Sequence, residues 1–455
     1  MSKHTLNRLY LLVLSSAAFL SVLDIFIVNV ALPAIRKGTG GTYGDSQLVI
    51  ALYLLGYAAF LITGGRAGDR YGQKKVFVLS MIMFTLASAA CGIAQTAAQL
   101  NMARFLQGLG AAFMVPQSIA LIQVLFPLPA ERIRAMGIYG SIAGIASVAG
   151  HFLTGGWRLI FLINLPLGLL AAFLAWRILP VHQAEAKPRF DYTGVAGLTA
   201  GLVCLIYPLI QGRELGWPAW SIAMLAAAGP LLLLFVRDQR SKLAAGRTPL
   251  INMQLFHFRS FNLGLGAALF YFMVQDTYFM INAVLFESGF GFSSAGTGRL
   301  FVCQGAGFVC ASLLSIRLLD RYGKKVVQAG VLLMILTLGL HLYLFKSFLT
   351  PQWIFQATLF VYGLGCGSVL PSLMTLALQH LPPRFAGAAA GTYTTFQQTA
   401  VALGICFTGG IFFEALGPAV QLDGYLQAYR TATLLNMVLL AAVSVFLYLL
   451  PLKKS

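Results

Sequence analysis

The chain runs to 455 residues, 58% of them hydrophobic and only 10% charged, where soluble domains carry about 25% charged residues. That balance excludes a soluble globular fold and makes the chain an integral membrane protein. Its formal charge of +18 is not a nucleic-acid footprint, because Lys and Arg recur in the gaps between apolar runs instead of gathering in one patch, and that pattern fixes orientation in a bilayer.

A bilayer core takes about 20 mostly apolar residues per helix. On that measure the chain holds fourteen spans, beginning near Leu9, Gln47, Val76, Gln99, Ile133, Trp157, Tyr192, Trp217, Phe258, Ser294, Val326, Gln352, Phe385 and Arg430. The even number puts both termini on one side, and Lys3, Arg8, Lys453 and Lys454 make that side the cytoplasmic face of the cell (inner) membrane. Leu9 to Leu32 is too long for a signal-peptide core and reads as the first span. Neither end carries a lipidation motif. The six cysteines (Cys91, Cys204, Cys303, Cys310, Cys366 and Cys406) lie in apolar runs without CxxC or metal-ligand spacing. They read as packing residues, and no metal or other cofactor is expected.

Between spans two and three comes a short basic, glycine-rich turn, Gly64 to Lys75, with Gly65, Asp69, Arg70 and Gly72 at its centre. Asp-Arg-Tyr-Gly recurs 251 residues on, from Asp69 to Asp320, with Arg321 and Gly323 in register. Gly72 suits a tight turn, and Asp69 can accept from a helix N-terminus or pair with a neighbouring arginine. Span four repeats as well: Gly108-Leu109-Gly110 with Pro116 returns 255 residues on as Gly363-Leu364-Gly365 with Pro371. The chain is therefore expected to be duplicated: a six-helix bundle over 1–181, a linker with two additional spans over 182–257, and a second six-helix bundle over 258–455. Internal symmetry of this kind marks secondary transporters, which bind substrate near the midplane between repeats.

A charge at the centre of a bilayer costs about 3 kcal/mol or more, so each one needs a partner or a task. In the first half these are Asp24 and Arg104. At about 1.5 Å per residue, Asp24 lies about 12 Å from the outer end of span one and Arg104 about 8 Å below that of span four, within reach of each other. Two readings fit: Asp24 carries a proton whose affinity Arg104 tunes, or the two form a permanent structural ion pair. Leu359 stands where the repeat would place Arg104, which favours a task over architecture. In the second half Asp276 lies deep in a span beside Tyr271 and Tyr278. A carboxylate among aromatic rings suits a lipophilic cation, while aromatics at helical spacing also serve as core or lipid-facing residues. In span five Gly140, Gly144 and His151 share a face with Gly137 and Ser147, a close-packing stripe. His151 is either a titrating group or an interfacial side chain near the end of its span.

These motifs together resemble the major facilitator superfamily, and within it the fourteen-helix drug:proton antiporters. Gly65 to Lys74 is similar to that family's signature loop, with its acidic residue at Asp69. Asp24 to Pro33 is similar to the first-helix motif, Arg104 to Gly110 to the fourth-helix motif, and Trp157-Arg158 with Phe161 to Pro166 to the start of helix six. The resemblance implies an all-α major facilitator fold of two six-helix bundles plus two extra central helices, rocking about a central cavity to export lipophilic or cationic compounds against protons. It implies a proton-transfer role for Arg104, and the two basic turns as cytoplasmic latches, with Asp69 pairing a neighbouring helix terminus. Partners in that reading are a small-molecule substrate, protons, the lipid bilayer and, as in some relatives of this kind, a periplasmic adaptor. In span five Ser147 and His151 stand where the family's antiporters place proline, and Ile25 and Phe26 replace a small hydroxyl residue in span one. Those departures keep open a proton-linked carrier of a specific metabolite or siderophore. A non-transporting sensor on the same fold is also open. No Gly-x-x-x-x-Gly-Lys-Ser/Thr loop supports an ATP-driven pump, and the scattered carboxylates and histidines do not assemble an enzyme centre.

Overall fold

A computed structural model of the chain describes residues 3–126, 156–181, 190–345, 351–379, 385–417 and 421–451, with isolated residues between. The described residues are helical, without strands, as apolar segments must be when lipid offers no partner for free backbone N–H and C=O groups. In chain order the helices are α1 (Lys3–Thr39), α2 (Tyr43–Tyr71), α3 (Gln73–Ile93), α4 (Ala97–Leu125), α5 (Trp157–Leu162), α6 (Asn164–Ile178), α7 (Tyr192–Glu214) and α8 (Ala219–Ala244). They continue with α9 (Arg259–Val284), α10 (Ser294–Tyr322), α11 (Lys324–Leu344), α12 (Gln352–Leu378), α13 (Ala386–Gly404), α14 (Gly410–Leu416) and α15 (Leu422–Leu449). Wider turns at Leu285–Gly289 and Ile405–Gly409 extend α9 and join α13 to α14.

Thirteen of these stretches are long and apolar enough to cross a membrane. The fifth of the fourteen expected spans, with Gly140, Gly144 and His151, lies outside the described residues. α5 and α6 together make one span, broken at Ile163. Pro166 accounts for the break, since it lacks the N–H that would bond the Leu162 carbonyl and its ring crowds that oxygen.

Residues Met1–Asn252 and Met253–Ser455 form two compact units, with the additional pair α7 and α8 in the first. Each unit repeats the same close seams. In the first, a β-carbon on Gly56 would come 2.5 Å from the Phe105 carbonyl oxygen, and one on Gly108 would come 2.0 Å from that of Tyr53. In the second, Gly307 meets Phe360 at 2.1 Å and Gly363 meets Gln304 at 2.0 Å in the same sense. The sequence separations are again 251 and 255 residues, so the duplication extends from motif to backbone contact. The basic turns match too. Gly72 and Gly323 carry positive φ values of 93° and 55°, and their N–H groups close the preceding helix on Gly68 and Leu319. The lysine after each turn caps the last helix of its own bundle: Lys74 Nζ donates to the Leu179 carbonyl (2.6 Å), and Lys324 Nζ to those of Leu450 (2.5 Å) and Tyr448 (2.8 Å).

Candidate functional site

The first unit is built around a wholly buried polar cluster. Asp24 comes from α1, Ser88 and Cys91 from α3, Arg104 and Gln107 from α4, and Asn164 from the first turn of α6, where the break in span six sets it. Asp24 and Arg104, paired in the sequence reading, meet as an ion pair with both side chains at 0% exposure. Arg104 also donates through Nε to the Val49 carbonyl (2.8 Å) and through Nη1 to Gln107 Oε1 (2.8 Å). The other carboxylate oxygen of Asp24 accepts from Gln107 Nε2 (2.7 Å) and Asn164 Nδ2 (3.3 Å). Asn164 reaches Ser88 Oγ (3.0 Å), and Ser88 anchors on the Phe161 carbonyl (2.9 Å). The guanidinium lies 4.4 Å from the Tyr53 ring centroid and 5.6 Å from that of Phe161.

This geometry meets a cost on the carboxylate's side, while Arg104 Nη2 has no hydrogen-bond partner among the described residues. Taking two charges out of water is repaid only when the pair is close and its remaining polar atoms are satisfied. Here both carboxylate oxygens are hydrogen-bonded, one by the cation and one by neutral amides. The amides would hold the carboxyl group in place whether it is charged or protonated, whereas the cation favours only the charged form. Gln107, Asn164, Ser88 and the ring of Tyr53 were not singled out in the sequence. Gln107 and Asn164 lie within the fourth- and sixth-helix motifs, but their spacing gives no role beyond that of an amide three residues from a charge, as Gln107 is from Arg104.

In the second unit Asp276 is 6% exposed, and Tyr271 and Tyr278 are 0% and 1% exposed on the same helix α9. The three are set at different angles around α9. Tyr271 and Tyr278 are two helical turns apart on one face, whereas Asp276 points from another. Tyr278 stacks on Tyr362 of α12 at 3.8 Å between ring centroids. Asp276 shares its face with Phe272, one turn back, whose ring meets Tyr393 of α13 at 6.4 Å. A second polar group that the sequence did not flag lies beside the tyrosine face. His341 of α11 is fully buried against the Phe345 ring (4.5 Å), and its Nδ1 lies 3.5 Å from the Tyr429 hydroxyl. That hydroxyl also donates to Asn282 Oδ1 (3.3 Å).

At the first basic turn Asp69 and Arg70 are exposed, and the Arg66 charge, one turn back on α2, acts on Asp69. Gly68 leaves room for Gln117, whose Oε1 would lie 1.7 Å from a β-carbon there and whose Nε2 donates to the Gly64 carbonyl (2.7 Å). Gly65 is the more open position, with Pro116 at 3.8 Å. At the second turn Arg321 lies over Tyr322 at 5.3 Å, as Arg70 lies over Tyr71 at 5.5 Å. The Asp320 side chain lies outside the described residues.

Comparison with known proteins agrees with this architecture. The sequence profile of the Major Facilitator Superfamily matches residues 14–405 and 264–454. A probable actinorhodin transporter of Streptomyces coelicolor is 35% identical over 423 residues, covering 89% of this chain and 72% of the relative. The multidrug resistance protein Stp of Mycobacterium tuberculosis (strain CDC 1551 / Oshkosh) is 32% identical over 432 residues, covering 91% and 78%. Among solved structures, a bacterial homologue of the human lysosomal transporter Spinster, inward-facing and unoccupied, superposes with a TM-score of 0.72 at 16% identity over 99% of this chain and 98% of that one. The inward-open xylose transporter XylE from E. coli gives 0.64 at 14% identity, over 98% and 96%. The chain belongs to the Major Facilitator Superfamily.

Proposed function

We propose that the protein is a secondary active transporter that exports lipophilic or cationic compounds in exchange for protons. Asp24 is the proton carrier and Arg104 the group that governs its occupancy. The observation that carries this reading is the buried pair itself. One Asp24 oxygen depends on a single cation and the other on neutral amides, so displacement of Arg104 leaves a carboxyl group still held in place and ready to take a proton. Arg104 Nη2 has no hydrogen-bond partner among the described residues, so the guanidinium is not locked by its full set of bonds. The relatives named for multidrug resistance and actinorhodin transport support a small-molecule cargo. Asp276, with the Phe272 and Tyr393 rings near its face of α9, is the group offered to a cationic substrate. The turns at Asp69 and Asp320 act as cytoplasmic latches, and both termini lie on the cytoplasmic side of the cell membrane.

The test uses purified protein in proteoliposomes with an imposed pH gradient and ethidium as cargo. Ethidium should move against the proton flow and stop when Asp24 is replaced by Asn. Movement indifferent to the gradient would contradict coupling.

A further inference from the structure

The first unit contains two helices that a six-helix bundle does not need. α8 turns Trp220, Ile222, Leu233 and Leu234 outward. In lipid such surface gains nothing by being covered, so apolar contact alone does not fix where the pair sits. Polar ties at its ends do. Glu214, closing α7, accepts from Thr42 Oγ1 (2.7 Å) and from the Gly44 N–H (3.1 Å) at the start of α2. A β-carbon on Gly44 would come 1.9 Å from Glu214 Oε2, so a larger residue there would displace the carboxylate from this tie. At the other end of α2, Arg66 donates to the carbonyls of Thr248 (3.5 Å), Leu250 (3.5 Å) and Pro249. From Gly44 to Arg66 an α-helix rises about 33 Å, the thickness of a bilayer core, at about 30 Å. The two ties therefore sit at opposite membrane faces.

The segment Arg66 grips is the connector from α8 towards the second unit, and its N–H groups are gripped as well. Leu250 N donates to Asp191 (2.8 Å) and Ile251 N to Gln239 Oε1 (3.0 Å). Asp191 further accepts from Gln239 Nε2 (2.9 Å), Lys242 Nζ (2.6 Å) and the Gly194 N–H (2.8 Å). Burial opposes its ionisation, but these bonds from Lys242, Gln239, Gly194 and Leu250 outweigh it and hold the carboxyl down to about 2.

We propose that α7 and α8 are a rigid extension of the first unit, tied to α2 at both membrane faces, and that Arg66 positions the connector so that it leaves the unit from the signature turn itself. The same turn then carries both the latch residues and the anchor of the chain to the second unit. Arg66 is a positioning residue, acting on turnover through the connector without touching cargo.

Hydrogen-exchange mass spectrometry on the purified full chain tests the tie without requiring transport. In wild type the amides of Leu250 and Ile251 should exchange as slowly as helix ends do. Arg66→Ala should speed them about tenfold or more, the worth of a charge-assisted bond, and Arg66→Lys should recover part of the protection. Glu214→Gln should loosen 42–46 and leave Leu250 and Ile251 unchanged. Unaltered exchange at Leu250 and Ile251 in Arg66→Ala would overturn the proposal. In proteoliposomes the Ala variant should lower kcat for ethidium several-fold at unchanged KM, with partial recovery in Lys. Wild-type turnover from a protein whose connector has been freed would overturn the positioning role. Failure of wild type to carry ethidium bears on the transport reading alone, since the exchange experiment decides the tie separately.

Discussion

The seam between α2 and α4 gives the sharpest stability prediction, because one chemical change has opposite signs at two glycines. A β-carbon on Gly108 would lie 2.0 Å from the Tyr53 carbonyl oxygen, where ordinary contact begins at 3.4 Å. Both partners are backbone, so Gly108→Ala must part the helices by about 1.4 Å, an overpacking cost of about 1–3 kcal/mol. The shift also draws the Val49 carbonyl of α2 away from Arg104, weakening a charge-assisted bond. Alanine recovers about 1 kcal/mol of helix propensity, leaving a net loss of about 2 kcal/mol. Gly229 of α8 has nothing within 4 Å of a β-carbon, so Gly229→Ala keeps only the propensity gain of up to about 1 kcal/mol. Thermal unfolding in detergent, followed by size exclusion after heating, should lower the midpoint of Gly108→Ala by about 4–8 °C and leave Gly229→Ala level or higher. Gly363→Ala should repeat the loss in the second unit. A Gly108→Ala protein as stable as Gly229→Ala would refute the reading of these seams as rigid backbone contacts.

Asp191, held down to about 2 against about 3.9 in the unfolded chain, contributes stability that is present above the higher value and lost as pH falls through the lower. The midpoint difference between wild type and Asp191→Asn should therefore stay constant from about pH 5 to 8 and close between about pH 4 and 2; a difference that grows across the neutral range would contradict this. Asp276→Asn should weaken ethidium transport several-fold more than that of a neutral lipophilic cargo, and equal losses would remove its charge-pairing role. Asp69→Asn should cut turnover while leaving membrane insertion and thermal stability intact, because the side chain is exposed; normal turnover would dispose of the latch.

How much of this was legible in the sequence differs by residue type. Hydrophobic runs and the repeated Asp-Arg-Tyr-Gly turn announced the spans and the duplication, because both follow from local composition. The meeting of Asp24 with Arg104 was also readable, since two opposite charges at similar depth have few alternatives in lipid. Their neutral partners were not. Gln107 and Asn164 fell inside the fourth- and sixth-helix motifs and Ser88 in none, but the spacing gave none of them a role, which appears only when four helices converge. Arg66 lies within the basic turn from Gly64 to Lys75, yet its guanidinium binds carbonyls 182 to 184 residues away, a contact no local pattern encodes. Tyr271 and Tyr278 share one face of α9 and Asp276 lies on another, a relation that helical spacing alone gives. His341 went unmarked because a single histidine in an apolar helix looks the same whether it faces lipid or Tyr429.

The central claim is that Asp24 exchanges its proton against cargo under the control of Arg104, and proton release tests it most directly. Purified protein in weakly buffered detergent solution is mixed with ethidium while a pH dye reports released protons, for wild type, Asp24→Asn and Asp276→Asn. The account predicts release from wild type, none from Asp24→Asn, and release from Asp276→Asn only at higher ethidium concentration. Undiminished release from folded Asp24→Asn, or none from wild type that binds ethidium, would contradict it.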